Sequence, residues 1–170
     1  MNEIINKVAT STLKVFDLEE YFPKQEIVNI DVAQWLFEGF ILKEKEFRQQ
    51  LKEYNWQQFQ NRNIAISCSS DAILPSWAIL LVSSNLVPFA AKIVMGCTTD
   101  FLVQHYTEIL ASIDYSVYQN QAVILKGCSK KPVPENAYIV AIQKLQPVAK
   151  SIMYGEACSA VPIYKKSSAQ

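Results

Sequence analysis

Residues 59–96 fall on residues 118–155 at a constant offset of 59 positions, with no gap needed. Gln60 meets Gln119, Asn61 meets Asn120, Pro75 meets Pro134 and Ala78 meets Ala137. Leu86, Pro88, Ala90, Ile93 and Gly96 then meet Leu145, Pro147, Ala149, Ile152 and Gly155. A period of this length marks one supersecondary unit used twice, so the fold must build the same local structure at both places. In each copy a short apolar run leads through a proline to a helical stretch, then through a second proline to another apolar run. The strand-length runs are residues 63–67, 91–95, 122–126 and 150–154, and the helical stretches are 76–86, 100–112 and 135–145. Pro75 and Pro134 stand where a helix begins and a missing N–H is harmless. Pro88 and Pro147 stand just past helix ends, which they help to stop. Strands joined through helices run parallel, because the helix returns the chain to the same edge. The expected class is α/β: a mainly parallel, layered sheet of four strands built from two repeated strand–helix–strand units.

Residues 1–58 have a different texture and predict an N-terminal α+β extension packing on that sheet. Residues 13–16 and 26–30 alternate as short strands do, with Pro23 between them favouring a turn. Asp31 is placed to cap a short helix carrying Val32, Trp35 and Leu36. In 43–54, Phe47, Leu51 and Tyr54 share one face of an amphipathic helix whose other faces are charged. The domain plan is thus the extension over 1–58, the tandem α/β domain over 59–164 and a flexible tail over 165–170.

Lys+Arg and Asp+Glu balance at 16 each, so no net field draws the chain to nucleic acid or to an anionic membrane. Pro75, Ser76, Ser83, Ser84, Asn85 and Pro88 interrupt the most apolar stretch, which falls short of the roughly 18 residues of a membrane span. No basic region followed by an apolar run opens the sequence, so no signal peptide is expected. A cytoplasmic protein with reduced thiols follows as the expectation.

The four cysteines are the main chemical feature. Cys68, Cys97, Cys128 and Cys158 each follow a strand-length run, at the edge where parallel sheets usually bind ligands. Converging thiolates would hold zinc, iron or an iron–sulfur cluster. Packing as small hydrophobes is the plainer alternative, and no Cys-x-x-Cys pair is present. In the repeat, Cys128 falls one place later than Cys68, and one residue turns a strand side chain to the other face. A third reading makes Cys68 or Cys128 a thiolate nucleophile, for instance in sulfur transfer, activated by the helix that follows. Neither Ser-Ser-Asp-Ala-Ile-Leu after Cys68 nor Ser-Lys-Lys-Pro-Val-Pro after Cys128 supplies the arginine or glycines of an anion cradle.

The single histidine, His105, sits among Phe101, Leu102 and Ile109 and reads as structural. Asp71 and Asp100 follow Cys68 and Cys97 closely and read first as caps. Lys126, Lys130 and Lys131 read as a solvated surface around Cys128. No Walker or dinucleotide glycine pattern supports a nucleotide cofactor.

Five stretches carry a resemblance. Cys68-Ser-Ser-Asp-Ala-Ile-Leu-Pro-Ser-Trp-Ala78, Lys126-Gly-Cys-Ser-Lys-Lys-Pro-Val-Pro134 and Ser151-Ile-Met-Tyr-Gly-Glu-Ala-Cys-Ser-Ala-Val-Pro162 are the longest. Asp17-Leu-Glu-Glu-Tyr21 and Leu42-Lys-Glu-Lys-Glu-Phe-Arg48 join them. Together they resemble an uncharacterised bacterial family found chiefly in Bacteroidetes, the domain of unknown function numbered 2480. The family pattern includes Cys68, Cys128 and Cys158 but not Cys97, so the resemblance implies a three-cysteine metal site with water, Glu156 or Asp71 in a fourth position. Cys97 stays a further candidate ligand on its place in the sequence alone. It also implies an accessory role beside iron–sulfur assembly proteins. The chain departs from the family pattern at Ala157, usually Pro, and at Ala160, usually Thr. Oligomeric state, substrate and reaction have no signature in the sequence.

Overall fold

The structure, a computed structural model, describes residues 13–127 and 130–167. In chain order its elements are β1 (Lys14–Asp17), β2 (Ile27–Asp31), α1 (Glu44–Glu53), β3 (Asn63–Ser67), α2 (Ser76–Leu86), β4 (Lys92–Met95) and α3 (Thr98–Ser112). β5 (Ala122–Lys126), α4 (Glu135–Leu145), β6 (Ser151–Tyr154) and β7 (Val161–Lys165) complete it. The class is α/β, with parallel strands joined through helices. The chain forms two compact units: Pro23–Gln104, the inserted unit, and the described parts of Met1–Phe22 and His105–Gln170, the split unit. Residues 1–58 therefore contribute to both.

The inserted unit holds a parallel sheet in the order β2-β3-β4. Ile30, Ile64 and Ile66 on one face meet Phe47 and Leu51 of α1 and Ala78, Val82 and Leu86 of α2. The α2 residues are spaced by four, one stripe of a helix. Ala65 and Val94, turned to the opposite face by the period of two, pack with Phe101 of α3. β3 is thus covered on both sides, which explains its unbroken apolar run.

The split unit holds a sheet in the order β1-β5-β6-β7, with the first three strands parallel and β7 antiparallel to β6. Phe16, Val123, Leu125 and Ile152 pack on Ala137, Ala141 and Leu145 of α4 and on Tyr106 and Leu110 of α3. The finer expectation of one four-stranded parallel sheet thus gives way to two sheets, each receiving one N-terminal strand on an edge. A hydrophobic period identifies equivalent strands but carries no information about which sheet each joins.

The duplication reaches well beyond the stretch visible in the sequence. At the same offset of 59, buried Phe47 and Leu51 correspond to buried Tyr106 and Leu110. Asn61 and Asn120 both take a positive φ, 57° and 56°, and each donates its N–H at 2.8 Å, to Phe89 O and Val148 O respectively. The N-terminal strands repeat with an offset of 14: Phe16, Asp17, Leu18 and Tyr21 match Ile30, Asp31, Val32 and Trp35. Asp17 and Asp31 each end a strand and cap a single 3-10 turn, accepting the N–H of Glu19 and of Ala33 at 3.0 Å. Each unit is therefore strand, capped turn, helix, strand, helix, strand. In the split unit the inserted unit interrupts that series.

In both sheets strand order follows chain order. Crossovers of one hand then place the connecting helices on one face, and neither sheet has a point where the order reverses.

Candidate functional site

The carboxyl edge of the inserted sheet is organised by Asp31. Its Oδ1 accepts the N–H groups of Ala33 and Ser69, both at 3.0 Å, and its Oδ2 accepts the Ser69 hydroxyl at 2.5 Å. The Ser69 hydroxyl, then the Ser69 and Ala33 N–H groups, hold this carboxyl below its ordinary pKa. The contact ties the loop after β3 to the end of β2.

Cys68 lies at the root of that loop, half-buried against the core, with Sγ 3.4 Å from the Ser70 hydroxyl oxygen. α2 starts only at Ser76, so residues 69–75 separate the Cys68 thiol from the helix expected to activate it.

Cys97 is the cysteine that opens a helix. Its carbonyl accepts the Phe101 N–H at 3.0 Å, and its own N–H donates to Asp100 Oδ2 at 2.7 Å, half of a capping box. That N–H, and then the thiol, hold the Asp100 carboxyl below its ordinary pKa. Gly96 makes the approach feasible: at φ 126° it carries no side chain, and a Cβ there would stand 2.4 Å from Asp100 Oδ2. Asp100 thus caps, as its place in the sequence implies. Cys68 and Cys97 each lie two residues past Ile66↔Met95, the last pair of the β3–β4 ladder.

In the split unit Cys158 is exposed, in the turn between β6 and β7 that the Ser159 N–H closes on Glu156 O at 2.9 Å. Glu156 holds Lys126, whose Nζ lies 3.0 Å from Oε1 and donates to Oε2 at 3.2 Å. This hydrogen bond raises the lysine above its ordinary pKa. Lys130 donates its N–H to Glu19 Oε1 at 2.8 Å, and Lys131 Nζ reaches Glu19 O at 3.4 Å. Cys128 lies outside the described residues, as do 168–170 of the expected tail. His105 is half-buried with Nε2 2.8 Å from Tyr21 O, a structural contact. Asp71 is exposed and lines a concavity of about 800 Å³ beyond β3.

The structure therefore brings Cys68 and Cys97 to the ends of neighbouring strands in one unit and puts Cys158 in the other. Among the described residues no three of His, Cys, Asp and Glu are grouped closely enough to hold a metal ion. Sequence reasoning missed two features of this edge. The role of Cys97 could have been read from Cys97-Thr-Thr-Asp100, which has the spacing of a capping box. A tight hairpin over residues 37–41 was signalled by Glu38-Gly39 between apolar residues.

No helix among the described residues is long and apolar enough to cross a membrane. No curated protein and no solved structure gives a match to this chain. One family profile does match, over residues 2–166, and by that extent the chain belongs to the family of proteins of unknown function designated DUF2480.

Proposed function

We propose that this protein handles a thiophilic metal ion, or an iron–sulfur cluster, as cargo carried on its cysteines in the cytoplasm. The observation that carries the reading is exposure. Free cysteine is among the most buried residue types in folded proteins. Here Cys97 and Cys158 are exposed and Cys68 is half-buried. Thiols packed only for their bulk would not be presented this way. Thiolates are soft ligands suited to zinc, copper(I) and iron–sulfur centres. Exposed beyond strand ends, as Cys97 and Cys158 are, they leave coordination positions to exchange with another protein, as a carrier requires. Cys68 is the proposed ligand of the inserted unit, with Cys97 a further donor at the same edge, and Cys128 and Cys158 are the proposed ligands of the split unit. An accessory part in iron–sulfur cluster assembly is the finer form of the proposal.

Elemental analysis of protein purified without oxygen tests it. Zinc or iron should co-purify and fall by more than half in Cys68→Ser and in Cys128→Ser. Unchanged metal content in those variants and in Cys158→Ser would rule the reading out.

A further inference from the structure

The inserted unit presents a second surface that uses no thiol. Residues 37–41 form a hairpin in which Phe37 N–H donates to Ile41 O at 2.8 Å and Ile41 N–H to Phe37 O at 3.0 Å. Its turn places Glu38 at φ 51° and Gly39 at φ 80°. A left-handed conformation costs a non-glycine residue about 1–2 kcal/mol. The turn keeps Phe40 at 55% exposure and Ile41 at 42%. Across the same concavity Ile73 is 97% exposed. Large apolar side chains gathered on one surface mark an interaction site.

Both walls are held before any partner arrives. Asp31 grips Ser69 at the root of one. At the other, Lys43 Nζ sits 3.2 Å over the Phe37 ring and 3.5 Å from Glu46. Such preorganisation lowers the ordering cost of binding.

The charges select the partner. Asp71 and Glu38 are exposed, and neither carboxylate has an ion-pair partner among the described residues. Lys43, the nearby cation, is already engaged by Glu46 and Phe37. The surface is thus apolar, with unpaired negative charge at Asp71 in its lining and at Glu38 on the adjoining hairpin turn. A small ligand seated in the concavity would leave a 97%-exposed Ile73 uncovered, whereas a polypeptide laid across both walls would bury it. A two-fold contact with a second copy would bring a second set of the same unpaired carboxylates into one interface. We infer that the residue 37–41 hairpin and the residue 69–75 loop form a docking surface for an apolar polypeptide segment bearing lysine or arginine. This inference goes beyond metal handling and stands whether or not the cysteines carry cargo.

A random peptide library displayed on phage and selected on the full chain tests it. Enriched sequences should combine bulky apolar residues with Lys or Arg. A synthetic peptide of that consensus, followed by fluorescence anisotropy, should bind at least about tenfold more weakly to Ile73→Asp and to Phe40→Asp. Asp71→Asn should weaken binding several-fold and flatten its salt dependence. Ile73 is so exposed that its variant keeps the fold, which a thermal melt verifies, so that variant decides if Phe40→Asp unfolds. No enrichment, an acidic or uncharged consensus, or an unchanged affinity for Ile73→Asp overturns the inference. So does light scattering that shows self-association abolished by Ile73→Asp, which would make a second copy the occupant.

Discussion

In the inserted unit the Leu51 carbonyl, left without a partner near the end of α1, is capped by the Trp56 indole N–H at 2.7 Å. In the split unit the Leu110 carbonyl, near the end of α3, is capped by the Tyr115 hydroxyl at 2.9 Å. An indole and a phenol do one job at equivalent positions. What the two units share is the backbone requirement, since a buried unpaired carbonyl is costly whichever side chain answers it. Where they part is the carboxyl edge. Gly127 stands where the inserted unit has Cys68, and a Cβ there would lie 2.7 Å from Tyr138 Oη and 3.2 Å from Leu18 Cβ. Glu156, bound to Lys126, stands where the inserted unit has Cys97. The core repeats and the rim diverges, so one scaffold presents two different sets of side chains beyond its strands.

The comparison breaks most visibly in the core. Leu86 and Leu145 are equivalent and both fully buried. Replacing either with alanine should lose about 2–5 kcal/mol, the transfer and cavity terms together. The two can be told apart because all three tryptophans, Trp35, Trp56 and Trp77, lie in the inserted unit. Denaturant unfolding followed by tryptophan emission reports that unit, and far-ultraviolet circular dichroism reports both. A near-neutral result for one leucine would end the claim that the cores are equivalent.

The glycines come next. Gly96 and Gly155 hold φ of 126° and 109°, so alanine at either should cost about 1–2 kcal/mol in backbone strain. At Gly155 the nearest atom to a new Cβ is Ala160 Cα at 3.9 Å, whereas at Gly96 the Asp100 carboxylate must move and release the Cys97 N–H. Gly96→Ala should therefore be the more damaging of the two in the same unfolding measurement. Equal losses would mean that the Asp100 cap is not fixed.

How much of this was open to a reader of the sequence depends on the physical signal behind each element. Four elements both begin and end where the repeat and its prolines put them: β3, α2, β5 and α4. Proline fixes φ and removes a donor whatever lies around it, so its message survives folding. β7 was not foreseen, because Val-Pro-Ile-Tyr-Lys contains a proline that argues against a strand. Pro162 is tolerated since β7 is a sheet edge with its register shifted near Ile152 and Met153. The two-sheet division was also hidden: β1 joins β5 across more than a hundred residues, and no local period encodes a pairing partner. For the site, strand ends placed Cys68, Cys97 and Cys158 beyond the sheets, while Cys128 lies outside the described residues. The monotone strand order then removed the reversal point on which the usual crevice depends.

A smaller effect separates the units in alkali. Phe16 packs within 5.5–5.8 Å of Tyr21, Tyr115 and Tyr118. Trp35, Trp56 and Phe59 hold the matching places in the inserted unit. Burial raises all three tyrosines above their ordinary pKa; Tyr115 is pushed up to about 12, first by burial and then by Tyr21 and Tyr118. A phenol whose folded pKa is raised adds stability that is fully present below about pH 10 and is lost as pH rises through the folded value. Tyrosinate absorbance should therefore climb late, mainly between about pH 10 and 12. Split-unit structure should be lost in that window before the tryptophan emission shifts. Tyr115→Phe should remove part of the late titration. A simultaneous change in both signals would show that these tyrosines do not set the alkaline limit.

The smallest expected effect concerns the two capping aspartates. Asp17 and Asp31 each hold a 3-10 turn, but only Asp31 is shown also gripping a loop, through both the N–H and the hydroxyl of Ser69. A carboxylate that accepts hydrogen bonds is favoured in its charged form, which is why the Asp31 pKa lies low. The sign follows from linkage. With the folded pKa depressed, the contribution is present above the unfolded value of about 4 and disappears as pH falls through the folded one. Carboxyl-resolved nuclear magnetic resonance should find Asp31 titrating below the ordinary range, and Ser69→Ala should bring it back towards that range. Because the group stands in solvent, added salt should change the result little if the two short Ser69 contacts are the cause, and strongly if distant charges are. An Asp31 titration that ignores Ser69→Ala would detach the residue 69–75 loop from β2, and with it the rigid wall on which the docking surface depends.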